Sequence, residues 1–398
     1  MTGGSGRDEP FDTMPYLASR LQGFGVTIFA EMSMVAERTG AINLGQGFPD
    51  QDGPPAMIDA AVRAMRDGRN QYPPGPGIPE LRQAIAAHQQ RFYGVGYDPD
   101  TEVLVTAGAT EAIAAAMLAL CEPGDEVVMF EPYYDSYAPA VAMAGARRRV
   151  VPLRPPTWGF DLEEFAAALT PRTRLVLLNS PHNPTGKVFS PDELAAIAQI
   201  CVEADVLVVT DEVYEHLVFE GRHVPIASLP GMGERTITIS SAGKTFSFTG
   251  WKIGWACGPA PLIAAVRTVK QFLTYVNGAP LQPAVAVGLG LPDQFFDGAV
   301  ADLAARRDRL CAGLDDAGFD VLRPAATYFA MTDIRSFGPE DGMAFCRQLP
   351  ERCGVVAIPA SVLYDDKVAG RSLVRFAFCK RPGVIDEAVA RLRTLAPS

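Results

Sequence analysis

The sequence has no Cys-x-x-Cys pair. Its seven cysteines stand singly at 121, 201, 257, 311, 346, 353 and 379. An odd, scattered set is not a disulfide framework and fits a reducing compartment. Histidine is rarer still, with four residues at 88, 182, 216 and 223. None follows the short spacing of a zinc-binding motif, so no metal is expected. No apolar run approaches the roughly 20 residues that a bilayer demands. Residues Met1 to Pro10 lack the apolar core of a secretory signal. Positive charge is short as well, with 35 Lys and Arg against 46 Asp and Glu and a net charge of −11. That balance argues against nucleic-acid and anionic-membrane partners. Internal repeats, low-complexity tracts and coiled-coil heptads are absent. These absences together predict a soluble, cytoplasmic protein.

What is present is an ordinary globular balance, 48% hydrophobic and 20% charged over 398 residues. That length suggests roughly two to three domains. Residues 1–12 read as a tail of glycine, serine and charge. The periodicity then predicts helices over 27–39, 55–67 and 80–92 and a short strand at 41–44. Between the last two helices, Asn70 to Gly77 is too rich in proline and glycine for a regular element.

A repeated unit follows: an apolar strand that runs straight into polar or small residues. Val103 to Thr106 leads to Gly108-Ala109-Thr110 and an alanine-rich helix. Val127 to Phe130 leads to Tyr133-Tyr134, and Arg174 to Leu178 leads to Asn183-Pro184-Thr185-Gly186. Val206 to Thr210 leads to Asp211-Glu212-Val213-Tyr214, and Thr236 to Ile239 leads to Ser241 and Lys244. Helices are predicted between most of these, at 162–169 and 191–203. Continuous apolar strands alternating with helices indicate an α/β fold with a mostly parallel sheet buried on both faces. Right-handed crossovers put the ends of parallel strands on one edge, where ligands bind. Gly108, Tyr134, Asn183, Asp211 and Lys244 are therefore expected to converge. Beyond Pro280 the texture changes to a charged helix at 299–317, short strands near 320–323, 327–333, 354–357 and 372–378, and helices near 341–349 and 384–395. This predicts a second, smaller α+β domain.

Each candidate has an ordinary reading beside its functional one. Lys244 and Lys252, eight residues apart in a small-residue loop, suit an imine-forming lysine and a phosphate-binding cation, or two solvated lysines. Gly108-Ala109-Thr110 opens a helix whose free amides favour an anion, or is a plain turn. Asp211 ends a buried strand, where a carboxylate needs a partner or serves as a cap. Tyr134 is a ring for stacking or a core aromatic. Arg375, in an apolar strand, suits bidentate capture of a carboxylate or faces water at an edge. Asn183 lies in an ordinary turn string.

Taken in order, Ser241-x-x-Lys244 with Lys252, Asp211-x-x-Tyr214, Asn183-Pro184-Thr185-Gly186 and Arg375 resemble the class I/II pyridoxal-phosphate aminotransferases of fold type I. The resemblance runs from about residue 27 to 395. Asn43 to Asp50 and Ser241 to Lys252 look like the kynurenine/glutamine/methionine transaminase subgroup. Asn70 to Gly77 and Trp255 to Pro259 are also similar to actinobacterial N-succinyldiaminopimelate aminotransferases. The resemblance implies a seven-stranded, mostly parallel sheet in a large domain over 51–290, a small domain over 291–398, and an N-terminal arm with part of the small domain over 1–50.

It further implies that Lys244 carries pyridoxal 5'-phosphate and shuttles the proton. Asp211 would hold the ring nitrogen, Asn183 and Tyr214 the ring oxygen, and Tyr134 would stack on the ring. Gly108, Ala109, Thr110, Ser241 and Lys252 would bind phosphate, with Tyr72 reaching over from the second subunit of a homodimer. Arg375, Gly47 and Asn183 would hold the substrate carboxylate, and Phe29 and Tyr275 would line the side-chain pocket. Substrates would be a small amino acid and a 2-oxo acid, exchanged in a ping-pong cycle. Two other activities are compatible with the same scaffold, a cysteine-conjugate β-lyase and a cofactor-binding regulator. The regulator would need a DNA-binding domain, for which the short stretch before residue 16 offers no room.

Overall fold

The computed structural model describes residues 15–338 and 341–395, so the tail expected over 1–12 lies outside the described residues. The apolar runs form one seven-stranded sheet. Its spatial order is Val103–Thr106, Gly254–Cys257, Thr236–Ser241, Leu207–Asp211, Thr173–Asn179, Glu126–Glu131, Arg147–Pro152. Neighbours pair in parallel except Gly254–Cys257, which is antiparallel to both of its neighbours.

The period-two alternation of a strand decides which face each residue serves. Val127, Met129, Leu175 and Leu177 pack into one apolar cluster with the Gly108–Leu120 helix. Val128, Phe130, Val176 and Leu178 pack into another with the Pro191–Glu203 helix. Both faces are thus covered, which is why the strands read as unbroken apolar runs. The Pro191–Glu203 helix starts in a full capping box, with Ser190 and Glu193 satisfying each other's backbone amides.

Two strands escaped the sequence reading. Arg147–Pro152 opens on three arginines, the charge that guards a sheet edge and that hides its strand character. Gly254–Cys257 is too short and too close to the lysine loop to separate from it. Four helices were also missed: Tyr137–Met143, the short Ala242–Thr245, Ala260–Leu273 and Gln282–Leu289. The long charged helix begins at Asp293 rather than 299, immediately after Pro292.

A four-stranded antiparallel sheet forms from the C-terminal part, in the order Ile358–Pro359, Leu373–Ala377, Phe329–Asp333, Asp320–Leu322. Ile42–Asn43 pairs in parallel with Val355–Val356. This pairing draws the Gly45–Gly47 turn beside the Leu373–Ala377 strand, and Arg375 Nη2 donates to Gly45 O at 3.1 Å.

At the join between strand and helix, Gly254 stands opposite Thr106 and Ser241. A Cβ on it would lie 2.6 Å from Gly108 C and 2.8 Å from Ala109 N. These are backbone atoms and cannot swing aside. Gly254→Ala should therefore lower stability by about 1–3 kcal/mol, read as a lower urea midpoint at unchanged slope. Gly250→Ala, with nothing within 4 Å of the new Cβ, is the control. Equal midpoints for the two variants would show that the helix start does not press on this strand.

Candidate active site

The strand ends open into a cavity of about 390 Å³. Asp211 supplies its buried carboxylate wall, being 4% exposed at the end of Leu207–Asp211. Tyr137 Oη donates to Asp211 Oδ2 at 2.7 Å, and Val213 N donates to Oδ1 at 3.3 Å. Burial raises the Asp211 pKa, and the Tyr137 hydrogen bond opposes that rise. Asn179, at the end of the adjacent strand, donates to Asp211 O at 2.8 Å and accepts from Asn183 N at 2.7 Å. Asp211 and Asn183 are thereby set by one amide side chain.

Lys244 lies in the short helix Ala242–Thr245 that ends the neighbouring strand. Burial, with help from the Arg375 and Lys252 charges, pulls its pKa down to about 8, against the opposing pull of Cys379 and Asp211. Its Nζ sits 5.8 Å from the centre of the Tyr214 ring and 5.6 Å from that of Tyr328. A lysine here is much closer to the free amine than a solvated one.

At another wall the Gly108–Leu120 helix begins without a side-chain cap, so the amides of its first turn remain available. Gly108 has φ +77°, and a Cβ there would lie 3.2 Å from Lys252 Nζ. Glycine therefore leaves the space in which a cation approaches the positive end of a helix. Ala109, Thr110 and Ser241 line the same corner. Two positive features facing one hollow, next to a hydroxyl, form an anion cradle.

Opposite stands Arg375, 2% exposed. Its partners are neutral: Nη1 donates to Asn183 Oδ1 at 3.0 Å, Nη2 donates to Gly45 O, and the buried Nε has no hydrogen-bond partner. Its guanidinium lies 3.9 Å from the Phe329 ring centre and 5.0 Å from that of Phe29. Burial depresses its pKa to about 10. Gly47 completes this end. A Cβ on it would fall 2.4 Å from the Phe329 ring, and Tyr328 Oη donates to Gly47 O at 2.6 Å. Only glycine fits.

Thirteen of the fifteen residues singled out from the sequence line this cavity, Tyr134 and Phe29 among them. The structure does not bring Tyr72 or Tyr275 to it. They are 80% and 53% exposed, and their rings meet edge to face at 5.2 Å on the outside. Tyr275, expected to line the side-chain pocket, does not line the cavity of its own chain. Tyr275 has φ +65° and is fixed by Lys270 Nζ, which donates to its carbonyl at 2.6 Å. Sequence reasoning passed over Tyr137, Asn179, Tyr328 and Phe329. Asn179 was legible as a polar residue closing an apolar strand. Tyr137 lies three residues beyond Tyr134 in a helix that was not foreseen.

Comparisons with known proteins agree with this geometry. The family model for aminotransferase class I and II matches residues 39–392. A probable N-succinyldiaminopimelate aminotransferase of Mycobacterium tuberculosis is 58% identical over 390 residues, covering 95% of this chain and 98% of the relative. A methionine aminotransferase of Escherichia coli is 41% identical over 378 residues, covering 95% and 98%. The solved structure of N-succinyldiaminopimelate aminotransferase from Mycobacterium tuberculosis superposes with a TM-score of 0.94, covering 96% of this chain and all of that one. With the family model spanning most of the sequence and relatives this similar over nearly their whole length, the chain belongs to the aminotransferase class I and II family.

Proposed function

We propose that this aminotransferase uses pyridoxal 5'-phosphate to move an amino group between N-succinyldiaminopimelate and a 2-oxo acid, and that it works as a homodimer. The observation that carries the transfer reading is one cavity holding a desolvated lysine, a buried carboxylate, an uncapped helix start with a cation, and a buried arginine whose hydrogen bonds run to neutral acceptors. The donor reading rests on the relative of that name, which shares far more of the sequence than the methionine enzyme does. An aromatic wall of Phe29, Phe48 and Phe329 favours a second reading, an aromatic or sulfur-containing donor.

The residues present fit the cofactor. The amides of Ala109 and Thr110 beyond Gly108, with Ser241 and Lys252, would hold the phosphate. Asp211 would hold a protonated ring nitrogen, Asn183 and Tyr214 the ring oxygen, and Tyr134 a ring face. When bound, pyridoxal phosphate supplies an aldehyde carbon for the substrate nitrogen and an electron-poor ring that accepts the Cα electron pair. Arg375, with Gly47 and Asn183, would grip the substrate carboxylate and so fix the direction of the Cα–H bond. Lys244 Nζ would take that proton as a general base, a role that requires the neutral amine its burial favours. The outward-facing Tyr72–Tyr275 pair, with exposed Phe272 and Leu273, suits contact with a second copy, where Tyr72 would reach the neighbouring phosphate.

The test is a half-reaction panel. Purified holoenzyme is mixed with each donor singly, and the loss of its bound-cofactor absorption is followed. The succinylated diamine should react fastest. A faster response to kynurenine or methionine, with none to the diamine, would overturn the donor reading. Release of pyruvate and ammonia from a cysteine conjugate without any oxo acid would instead mark a β-lyase. Borohydride reduction before peptide mapping should label Lys244 alone.

Arg375→Lys keeps the charge and loses the fork. It should lower kcat/KM for amino acids about 100-fold, ~2.7 kcal/mol, and leave reaction with amines lacking a carboxylate little changed. An equal loss on both substrate classes would assign Arg375 a purely structural role.

The free amine fraction of Lys244 grows as pH rises through about 8. In cofactor-free protein, the rate constant for acetylation of Lys244 by acetic anhydride should therefore reach half its plateau near that pH, well below the ~10.4 of an ordinary lysine. A midpoint in the ordinary range would contradict the desolvated site.

A further inference from the structure

Behind the segment that carries Asp211 and Tyr214 lies a buried polar cluster that the transfer chemistry does not use. His88 comes from the Pro79–Tyr93 helix, and Glu212, Glu215 and His216 follow the Leu207–Asp211 strand. His223 joins them, so three of the four histidines gather here. His88 Nε2 and His216 Nε2 face each other at 2.7 Å. His88 is 2% exposed and Glu215 4%, while His216 is half-buried, on the solvent side.

Two features of this cluster are unresolved by protein groups alone. The first is charge. Glu212 pairs with His223 Nε2 at 2.8 Å, but Glu215 has only neutral hydrogen-bond donors. Ser240 Oγ donates to it at 2.6 Å and Gln89 Nε2 at 3.3 Å. Burial lifts the Glu215 pKa to about 7. A buried carboxylate without a cation is costly, and the usual remedies are an ion pair or a metal. The second is the His88 ring. Its Nδ1 is buried without a partner, as is Gln89 Oε1 on the next, 1%-exposed residue. The Nε2–Nε2 hydrogen bond leaves His88 Nδ1 unsatisfied in either tautomer, and a ligand at Nε2 would leave it an N–H still needing an acceptor, so the carboxylate and the ligand geometry are what point to an ion. Burial also lowers the pKa of both rings, to about 3 for His88, so both stay neutral and can offer a lone pair.

We propose that His88 Nε2, His216 Nε2 and the Glu215 carboxylate bind one divalent ion of the zinc class, with water in the fourth position. The three ligand atoms lie within 4.8 Å of one another. Two imidazole nitrogens and one carboxylate oxygen suit Zn²⁺ or Co²⁺, whereas Mg²⁺ and Ca²⁺ take all-oxygen shells. On binding, the ring that carried its proton on Nε2 moves it to Nδ1, and Glu215 releases its proton where it holds one. The two nitrogens open from their hydrogen-bond spacing to about 3.3 Å, the edge of a tetrahedron with bonds of about 2.0 Å. His216, on the solvent side, is the ring that shifts. The ion would tie the Pro79–Tyr93 helix to the segment bearing Asp211 and Tyr214. Its role is to clamp that segment, apart from the transfer chemistry. The four histidines suggest no such site in the sequence, because His88 and His216 are 128 residues apart.

The experiment uses full-length holoenzyme reduced with borohydride, so that the cofactor itself cannot chelate metal. After removal of adventitious ions, Co²⁺ and Zn²⁺ are titrated in. Expected are one ion per chain by elemental analysis, a visible Co²⁺ absorption typical of four-coordination, and a raised thermal midpoint. Glu215→Gln keeps the Ser240 hydrogen bond and should weaken binding at least tenfold. His216→Gln, at the half-buried ligand, should do the same and remains informative if the first variant folds poorly. Absence of Co²⁺ binding would overturn the proposal. So would binding that survives both substitutions, which would place the ion at a cysteine, or an equal thermal shift from Mg²⁺, which would refute the donor chemistry.

Discussion

Asp211 holds a carboxylate at the end of a buried strand with neutral hydrogen-bond donors as its direct partners, Tyr137 Oη and Val213 N. Removing such a group from water costs on the order of several kcal/mol. The surrounding structure is arranged to tolerate that cost. Asn179 holds the Asp211 carbonyl, Tyr137 holds one carboxylate oxygen, and the parallel pairing of Thr173–Asn179 with Leu207–Asp211 fixes the relation between them. An open place remains on the cavity side for a positive group. A protein selected for stability alone would fill this position with an apolar residue.

The same imbalance recurs around the cavity. Arg375 is buried among neutral acceptors and aromatic rings, and Lys244 is desolvated toward the free amine. The helix start at Gly108 faces Lys252 with its amides uncapped. The Asp211 carboxylate, the Arg375 fork, the Lys244 amine and the anion hollow are held mainly by neutral groups, with Asp135 as a second carboxylate on the Arg375 side. In the proposed reading, a ring cation would answer Asp211, a substrate carboxylate Arg375, and a phosphate the hollow.

Much of this was legible in the sequence because strand ends in a parallel sheet are places of forced convergence. Gly108, Tyr134, Asn183, Asp211 and Lys244 each follow an apolar run, and topology does the rest. The unread parts have physical causes. The arginine-led edge strand Arg147–Pro152 looks like surface charge, and the antiparallel Gly254–Cys257 strand merges with the lysine loop. Tyr328 and Phe329 belong to the C-terminal sheet, and nothing local says that they fold over Gly47. Tyr72 and Tyr275 belong outside the cavity of their own chain, a fact that depends on tertiary placement rather than on any local pattern.

The cavity's two substrate-facing ends come from distant parts of the chain, and this constrains how the enzyme can move. Lys244 and Asp211 are fixed to the seven-stranded sheet, while Arg375 rides on the Leu373–Ala377 strand of the smaller sheet. Among the described residues, Arg375 donates hydrogen bonds to Asn183 Oδ1 and to Gly45 O. The first of these joins the two sheets through a single neutral bond, which is weak compared with a charge-assisted one. A substrate carboxylate would replace it with a bidentate ion pair whose other end is anchored over Lys244. Substrate would thus add a charge-assisted tie between sheets already joined by shared apolar packing and by backbone bonds such as Thr327 N to Leu217 O. An amine without a carboxylate would leave that link at its weaker, neutral strength. Discrimination for amino acids then resides as much in how firmly Arg375 is brought over the reacting carbon as in how tightly the substrate is held.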